Sequence, residues 1–385
     1  MKKFLALILA LVMSLSLVAC GGSKTEEKPA EEKPAETEQP AEATPDYAVA
    51  MITDYGDITD QSFNQTTYEA CKAYCDTNGI QFNYYKPAGD STAERVAMVE
   101  KAVDEGYTVI VMPGYAFGET ITQVADEYSD ITFIALDVGE GDLGGYTLPG
   151  NVYCAVYQEE LCGYMAGYAA VKLGYTHLGF LGGMAVPAVG RYGYGFVQGA
   201  DAAAAETGAS VTLEYVYGNQ FWGDADITAY MDNWYQTLGV EVVFACGGGI
   251  YSSAAEAAAK VDGKVIGVDV DQAGISDGGY GEGMTVTSAM KGLAPTVEHM
   301  LTEVAAGNFS NYGGKIETLG LVSGDDPEAN YVQIPMESTQ WSDSFTQDDY
   351  KALVKDMFDG KITVSNDISA MPSTSITVNE YGNIK

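Results

Sequence analysis

Short apolar runs alternate with helical segments from residue 47 to residue 269. The runs are almost continuously apolar, which is typical of strands that are covered on both faces of a parallel sheet. The alternation starts at Tyr47 and starts again at Asn151. We therefore predict an α/β protein with two doubly wound lobes, in which helices cover each sheet. In the second lobe, one helix is predicted from Gly193 to Glu206.

Polar or glycine residues follow most of the predicted strands. Parallel sheets bind ligands in the crevice at the carboxyl ends of their strands, so these residues are candidates for a binding site. The candidates from this pattern are Asp60, Asn64, Asp137, Phe221, Trp222, Gly247, Asp269 and Lys291.

The stretch Val265–Asp271 is a predicted buried strand that runs directly into carboxylates. A second apolar run, which begins at Met284, ends at Lys291. A lysine and the Asp269 carboxylate in one crevice can pair and can together hold vicinal hydroxyl groups. The sequence therefore predicts a receptor for a small polar molecule.

The charge of the chain excludes one large class of partners. The 385 residues include 54 acids and 19 bases, for a formal net charge of −35. Binding to a phosphate backbone requires patches of Lys and Arg, and the chain has no basic run after Lys2 and Lys3. We therefore expect no nucleic-acid partner, and an anionic ligand is disfavoured.

The first residues indicate export and a lipid anchor. Lys2 and Lys3 precede an apolar stretch from Phe4 to Leu17 that has the length of a signal peptide. The following residues resemble the bacterial lipobox, so we predict a lipoprotein signal over residues 1–20, with lipid attached to Cys20. Residues 21–46 are rich in Pro, Glu and Lys and lack aromatic residues, which predicts a disordered acidic tether.

The remaining cysteines and the histidines do not indicate a cofactor. Five cysteines besides Cys20, an odd number in a long chain, argue against a disulfide scaffold. With only two histidines, neither near a cysteine pair, a zinc site is not expected. We expect no metal, no cofactor and no catalytic residues.

Three motifs resemble the basic membrane protein family of lipoproteins, whose best-understood members are purine-nucleoside receptors of ABC importers. The motifs occupy residues 60–65, 267–272 and 287–291. The resemblance implies a type I periplasmic-binding-protein fold, with two Rossmann-like lobes and a three-segment hinge. We assign the first lobe to residues 47–150 and 270–310, and the second to residues 151–269 and part of 311–385.

The resemblance also implies roles for individual residues. Asp60, Asn64 and Asp137 correspond to residues that contact the base. Tyr68 and Phe221 correspond to the aromatic rings that stack on it, and Trp222, which is adjacent to Phe221, leaves the stacking assignment open. Asp269 and Lys291, together with either Gly247 or Gly248, correspond to the residues that hold the ribose hydroxyls.

Each of these roles has a structural alternative. Asp60 can cap the helix that follows it, Asp269 can cap a turn, and Tyr68 can belong to the core. These alternatives are open at the level of the sequence.

The resemblance implies a monomeric receptor on the extracytoplasmic face of the cell membrane, which captures a purine nucleoside and delivers it to an ABC permease. A sugar receptor of the same fold is the main alternative. An extracellular nucleoside hydrolase is disfavoured, because the chain lacks a strand-end cluster of several Asp residues and histidine ligands. A surface adhesin would bind no small molecule at all.

Overall fold

A computed structural model describes residues 47–385, apart from the side chain of Asp277. The predicted signal peptide with Cys20 and the predicted tether lie outside the described residues. The strands are β1 (Val49–Ile52), β2 (Phe82–Tyr85), β3 (Val109–Pro113), β4 (Thr132–Leu136), β5 (Val152–Tyr157), β6 (His177–Gly182), β7 (Thr212–Tyr217), β8 (Val242–Cys246), β9 (Lys264–Asp269), β10 (Thr285–Lys291), β11 (Lys315–Leu319), β12 (Val332–Gln333) and β13 (Thr377–Asn383).

Helices follow most of the strands, as the alternation predicts. They are α1 (Phe63–Asn78), α2 (Thr92–Asp104), α3 (Phe117–Val124), α4 (Glu159–Lys172), α5 (Pro187–Thr207), α6 (Ala225–Asn233), α7 (Tyr251–Ala259), α8 (Ala273–Gly279), α9 (Leu293–Ala305) and α10 (Gln347–Phe358). Within residues 47–385, none of these helices is both long enough and apolar enough to cross a bilayer.

The strands form two sheets with the same internal order. The first sheet has the order β2-β1-β3-β4-β5-β11, and the second has the order β13-β7-β6-β8-β9-β10-β12. In each sheet the first five strands of the repeat run parallel in the order 2-1-3-4-5, which is a doubly wound topology. The predicted α/β fold with two Rossmann-like lobes is confirmed.

The chain passes between the two sheets at three places, after β5, after β10 and after β11. These connections lie side by side: Gln158 N donates to Leu319 O at 2.9 Å, and Gly292 N donates to Tyr331 O at 2.7 Å. The three connections form the hinge that the family resemblance implies.

Two of the predicted lobe boundaries are wrong. Residues 151–157 were assigned to the second lobe, but β5 pairs with β4 in the first sheet. Residues 285–291 were assigned to the first lobe, but β10 pairs with β9 in the second. Apolar periodicity identifies a buried strand but does not specify which sheet it joins, since that depends on long-range pairing.

The residues after α9 divide between the lobes. Strand β11 pairs with β5 in the first sheet, whereas β12 and β13 pair with β10 and β7 in the second. Helix α10 packs on the second lobe, where the buried Tyr350 hydroxyl accepts a hydrogen bond from Ile334 N at 3.0 Å.

Helices α4 and α5 pack almost backbone to backbone in the second lobe. A Cβ atom at Gly167 would lie 2.1 Å from the Phe196 carbonyl oxygen, and one at Gly199 would lie 2.0 Å from the Tyr164 carbonyl oxygen. Only glycine permits this approach. Helix α5 begins at Pro187, six positions before the predicted start, because proline is well accommodated in the first turn of a helix. The extra turns extend α5 into the gap between the lobes.

Candidate functional site

A cavity of about 570 Å³ lies between the two lobes. Loops at the carboxyl ends of β1, β3 and β4 line it from the first lobe, and the ends of β8, β9 and β10 line it from the second. This is the edge at which doubly wound sheets bind ligands. The predicted site residues that line the cavity are Asp60, Asn64, Asp137, Phe221, Trp222, Gly247, Gly248, Asp269 and Lys291.

Tyr68 is the one predicted site residue that does not line the cavity. Its ring packs against Phe82 at 5.7 Å and Tyr84 at 5.2 Å between ring centroids, on the outer edge of the first sheet. The aromatic residue of α1 that lines the cavity is instead Phe63. Tyr68 therefore has the packing role that was open as an alternative.

Lys291 lies at the centre of a buried group of charges. Its Nζ is 2.5 Å from Asp137 Oδ2, 3.4 Å from Glu159 Oε1 and 3.7 Å from Asp269 Oδ1. Its side chain is only 3% exposed. Burial alone would lower the pKa of Lys291, but the three carboxylates outweigh burial and hold the pKa above its ordinary value. Lys291 is therefore a permanent cation in the cavity wall.

The same cluster links the two lobes. Asp137 follows β4 in the first sheet, whereas Lys291 ends β10 in the second, so their ion pair crosses the gap. Burial raises the pKa of Asp137 to about 6, against the opposing effect of Lys291. Arg191 is a second cation of this cluster, and its Nε donates a hydrogen bond to Glu159 Oε2 at 2.6 Å.

Asp137 and Asp269 occupy matching places in the two lobes. Asp137 follows β4 and Asp269 ends β9, and each of these is the fourth strand of its lobe along the chain. Both residues have a left-handed backbone, with φ of 60° and 64°. This conformation costs a non-glycine residue roughly 1 kcal/mol or more. Residues in such conformations cluster at functional sites, where the surrounding structure holds them in place.

Asp269 contacts both lobes directly. Ser62 Oγ, from the first lobe, donates to Asp269 Oδ2 at 2.5 Å, and the Tyr192 hydroxyl donates to Oδ1 at 3.2 Å. Nearby, Gln272 Nε2 donates to the Gln61 carbonyl oxygen at 3.0 Å. The lobes are therefore closed on each other around the cavity.

Asp60 organises the start of α1. Its carboxylate accepts hydrogen bonds from the backbone N–H groups of Ser62, Asn64 and Gln65 at 3.0, 2.9 and 3.0 Å. The helix-capping alternative for Asp60 therefore has direct structural support, although the side chain also lines the cavity.

Asn64 is held by two carboxylates that fix its orientation. Its Nδ2 donates to Asp54 Oδ1 at 3.3 Å and to Asp60 Oδ2 at 3.2 Å. Among the described residues, its Oδ1 and the Oδ1 of Asp137 are buried atoms without a hydrogen-bond partner. Buried acceptors are nearly always satisfied, so both atoms are suited to accept a hydrogen bond from a ligand.

The Phe221 ring packs against two glycines, Gly183 and Gly247. A Cβ atom at Gly183 would lie 2.4 Å from the Phe221 ring, and one at Gly247 would lie 3.0 Å from it. Gly247 and Gly248 also have positive φ values of 154° and 53°. The glycines therefore leave room for the ring next to the ends of β6 and β8, where a larger residue would displace it.

Two aromatic rings of the first lobe, Tyr55 and Phe63, line the same cavity as Phe221. The Tyr55 and Phe221 ring centroids are 6.4 Å apart, and the Phe63 ring lies 4.7 Å from Lys291 Nζ. Trp222 is 55% exposed and lies at the border of the cavity. Sequence reasoning missed Tyr55, Phe63, Arg191 and Tyr192. Phe63 had a signal, since it directly precedes Asn64 in a motif already recognised.

The cavity is strongly acidic. Seven of its lining residues carry carboxylates (Asp54, Asp57, Asp60, Asp137, Glu140, Asp142 and Asp269), whereas Arg191 and Lys291 supply its cations. Among residues 47–385, no group of three or more His, Cys, Asp or Glu side chains has the arrangement of a metal site.

Two hinged lobes around an enclosed polar and aromatic cavity define the class of solute-binding receptors. The family model for the ABC transporter substrate-binding proteins described as PnrA-like, the Bmp family, matches residues 47–355. The chain belongs to this family, and the resemblance drawn from the three motifs is confirmed. It is therefore a substrate-binding protein of an ABC transporter.

The chain is similar to individual relatives over most of their length, and it shares its fold with a solved structure. The chain is 28% identical to the CD4+ T-cell-stimulating antigen of Listeria innocua, over 82% of this chain and 87% of that one. It is 25% identical to the ABC transporter nucleoside-binding protein BmpA of Lactococcus lactis, over 83% and 89%. An ABC transporter solute-binding protein of Conexibacter woesei has the same fold, with a TM-score of 0.64 and 22% identity over 83% and 99% of the two chains.

Proposed function

We propose that the cavity binds a nucleoside with a purine base. One observation supports this most strongly: unpaired acceptor atoms, Asn64 Oδ1 and Asp137 Oδ1, occur in a cavity that also has aromatic rings from both lobes. A nucleoside offers hydrogen-bond donors on its base and its sugar, together with a flat ring that stacks on aromatic side chains.

The base would lie against Phe221, with Tyr55 or Phe63 on its other side and Asn64 at its edge. Phe63 replaces Tyr68 in this arrangement, because Tyr68 packs on the outer edge of the sheet. The name of the Lactococcus lactis relative, nucleoside-binding protein, supports the same ligand class.

The ribose would lie at the Lys291 cluster. The family resemblance assigns Asp137 to the base, but its ion pair with Lys291 leads us to place it beside the sugar. Asp137 and Asp269 can accept hydrogen bonds from the sugar hydroxyls, and Lys291 can donate a hydrogen bond to the same hydroxyls. Because Lys291 is already paired with carboxylates, a neutral sugar can bind without leaving an uncompensated charge. The excess of acids in the cavity opposes a phosphate group, so we propose nucleosides rather than nucleotides as ligands.

We further propose that Cys20 carries a lipid that holds the receptor on the extracytoplasmic face of the membrane, and that the receptor is a monomer that delivers its ligand to a permease without chemical change. This part of the proposal rests on the sequence of residues 1–21 and on the family. Replacing Cys20 with Ala is expected to release the protein from the membrane fraction.

Native mass spectrometry of protein purified without unfolding tests the ligand class. A retained mass of inosine, guanosine or adenosine is expected, whereas a retained hexose or pentose would favour a sugar receptor. Incubation with inosine followed by chromatography for free base tests the hydrolase alternative, and we expect no base to be released.

Isothermal titration calorimetry with inosine tests the assigned residues. Asp269→Ala is expected to weaken binding at least tenfold, because it removes a buried charged acceptor. Asp271→Ala is the matched control, since Asp271 is exposed and does not line the cavity. Unchanged affinity of the Asp269 variant would remove this residue from the site.

A further inference from the structure

Residues 356–385 lie outside the part of the chain that the family model matches. After α10 they run along α5 to β13. The Gln198 side chain exchanges two hydrogen bonds of 2.9 Å with the backbone of Ser365. Asp201 Oδ1 accepts from Ser375 N at 2.8 Å and from Ile376 N at 3.1 Å. The course of this segment is thus fixed against the second lobe.

Strand β13 is anchored at the edge of the second sheet. It runs parallel to β7 and contacts a buried carboxylate there, that of Glu214. Glu214 accepts from the Tyr381 hydroxyl at 2.7 Å and from Asn379 Nδ2 at 3.2 Å, and it contacts His177 Nε2 at 2.9 Å. Buried carboxylates need such partners, so the hydrogen bonds to Glu214 stabilise β13 at this edge of the sheet.

The residues that follow β13 reach a loop of the cavity. Ile384 N donates to the Tyr217 carbonyl oxygen at 2.8 Å, at the end of β7. Lys385 then pairs with Asp224, and its Nζ is 3.4 Å from Asp226 Oδ2. The segment between these two contacts on the second lobe, residues 218–224, is here called the aromatic loop, because it carries Phe221 and Trp222.

The Asp224 carboxylate accepts the hydrogen bonds that hold the end of this loop in place. Its Oδ1 accepts from Asp226 N and from Ile227 N, both at 3.0 Å, and so caps α6. Its Oδ2 accepts from Gln220 Nε2 at 2.8 Å and from Lys385. Gln220 Nε2 also donates to the Trp222 carbonyl oxygen at 2.8 Å. Lys385 is therefore part of a hydrogen-bond network with Asp224 and Gln220. Through Gln220 and the Trp222 carbonyl, this network holds the backbone on both sides of Phe221.

We propose that residues 377–385 are a positioning element for the aromatic loop, and that Lys385 is the positioning residue that holds Phe221 and Trp222 over the cavity. The strand does not touch the ligand; it acts through Asp224 and Gln220. The consequence for ligand binding rests on the function proposed above, whereas the effect on the loop does not.

Hydrogen exchange measured by mass spectrometry on the ligand-free protein tests the proposal. In Lys385→Ala, exchange in residues 218–224 is expected to accelerate about twofold to fivefold, because the ion pair that is lost is partly exposed. Lys385→Arg is expected to restore the slow exchange. Lys361→Ala, which removes another surface ion pair at Asp356, is expected to leave the loop unchanged. Unaltered exchange in Lys385→Ala overturns the proposal.

A second measurement connects the loop to the ligand. Inosine affinity is expected to fall about twofold to fivefold in Lys385→Ala, with thermal unfolding at the wild-type temperature, and to recover in Lys385→Arg. Accelerated exchange without any inosine binding by the wild type would refute the nucleoside assignment alone. Accelerated exchange with unchanged inosine affinity would overturn the claim that the strand positions Phe221 for binding.

Discussion

Glu160 gives the sharpest test of the electrostatics in this fold. It lies in the first turn of α4, is only 3% exposed, and has one carboxylate oxygen, Oε2, without a hydrogen-bond partner in the described chain. Burial raises the pKa of Glu160 from 4.5 to about 7, and the charge of Glu159 adds to the effect. The folded protein therefore holds the proton on Glu160 more tightly than the unfolded chain does.

The sign and the size of the effect follow from this pKa. Stability from protonated Glu160 is complete below about pH 4.5 and is lost as the pH rises through about 7. One pKa unit corresponds to about 1.4 kcal/mol, so ionisation in the folded state costs about 3 kcal/mol above pH 7. Glu160→Gln keeps the shape of the neutral side chain and removes this cost.

Urea unfolding at pH 8 and at pH 5 measures the effect. At pH 8 the Glu160→Gln variant is expected to be more stable than the wild type by about 3 kcal/mol, and at pH 5 by less than about 1 kcal/mol. Glu298→Gln, at an exposed position of α9, is the matched control and is expected to change stability little at either pH. An equal gain for Glu160→Gln at both pH values, or no gain, would refute the reasoning.

Four further outcomes are expected. Phe221→Ala should weaken inosine binding tenfold or more in calorimetry, because stacking and burial of one ring are lost; an affinity within twofold of wild type would contradict the stacking role. Lys291→Met should lower the free energy of urea unfolding by about 3–5 kcal/mol, because buried carboxylates lose their cation; an unchanged value would show that the cluster is not buried. Gly199→Val should lower it by about 3 kcal/mol or more through overpacking against Tyr164, while Gly278→Ala, which has open space around it, should change it little. Inosine 5′-monophosphate should bind at least tenfold more weakly than inosine, and equal binding would refute the charge argument.

Much of the architecture could be predicted from the sequence, because buried parallel strands are apolar along their whole length. This signal is local, and it located β9 and the carboxylates after it. Sheet membership is not local. β5 and β10 look like their neighbours in the sequence, yet each pairs with the sheet opposite to the one predicted, since three crossings of the hinge decide the pairing.

The site residues that directly follow buried strands could be predicted from the sequence, whereas residues placed by tertiary packing could not. Asp137 and Asp269 end buried strands, which places them at the edge of the sheet. Tyr68 and Phe63 lie on the same helix, and the contacts of Tyr68 with Phe82 and Tyr84 of β2 keep its ring away from the cavity. The helical pattern of the sequence does not show which face of α1 meets β2. Arg191 was missed because the predicted helix starts at Gly193, whereas α5 begins at Pro187.

The ion pair between Asp137 and Lys291 has a consequence for how a receptor of this kind releases its cargo. Since the two charges belong to opposite lobes, any swing of the lobes apart must hydrate both. Dissolved salt stabilises hydrated charges and weakens their mutual attraction. We therefore expect a bound ligand to leave the cleft faster in concentrated salt than in dilute buffer.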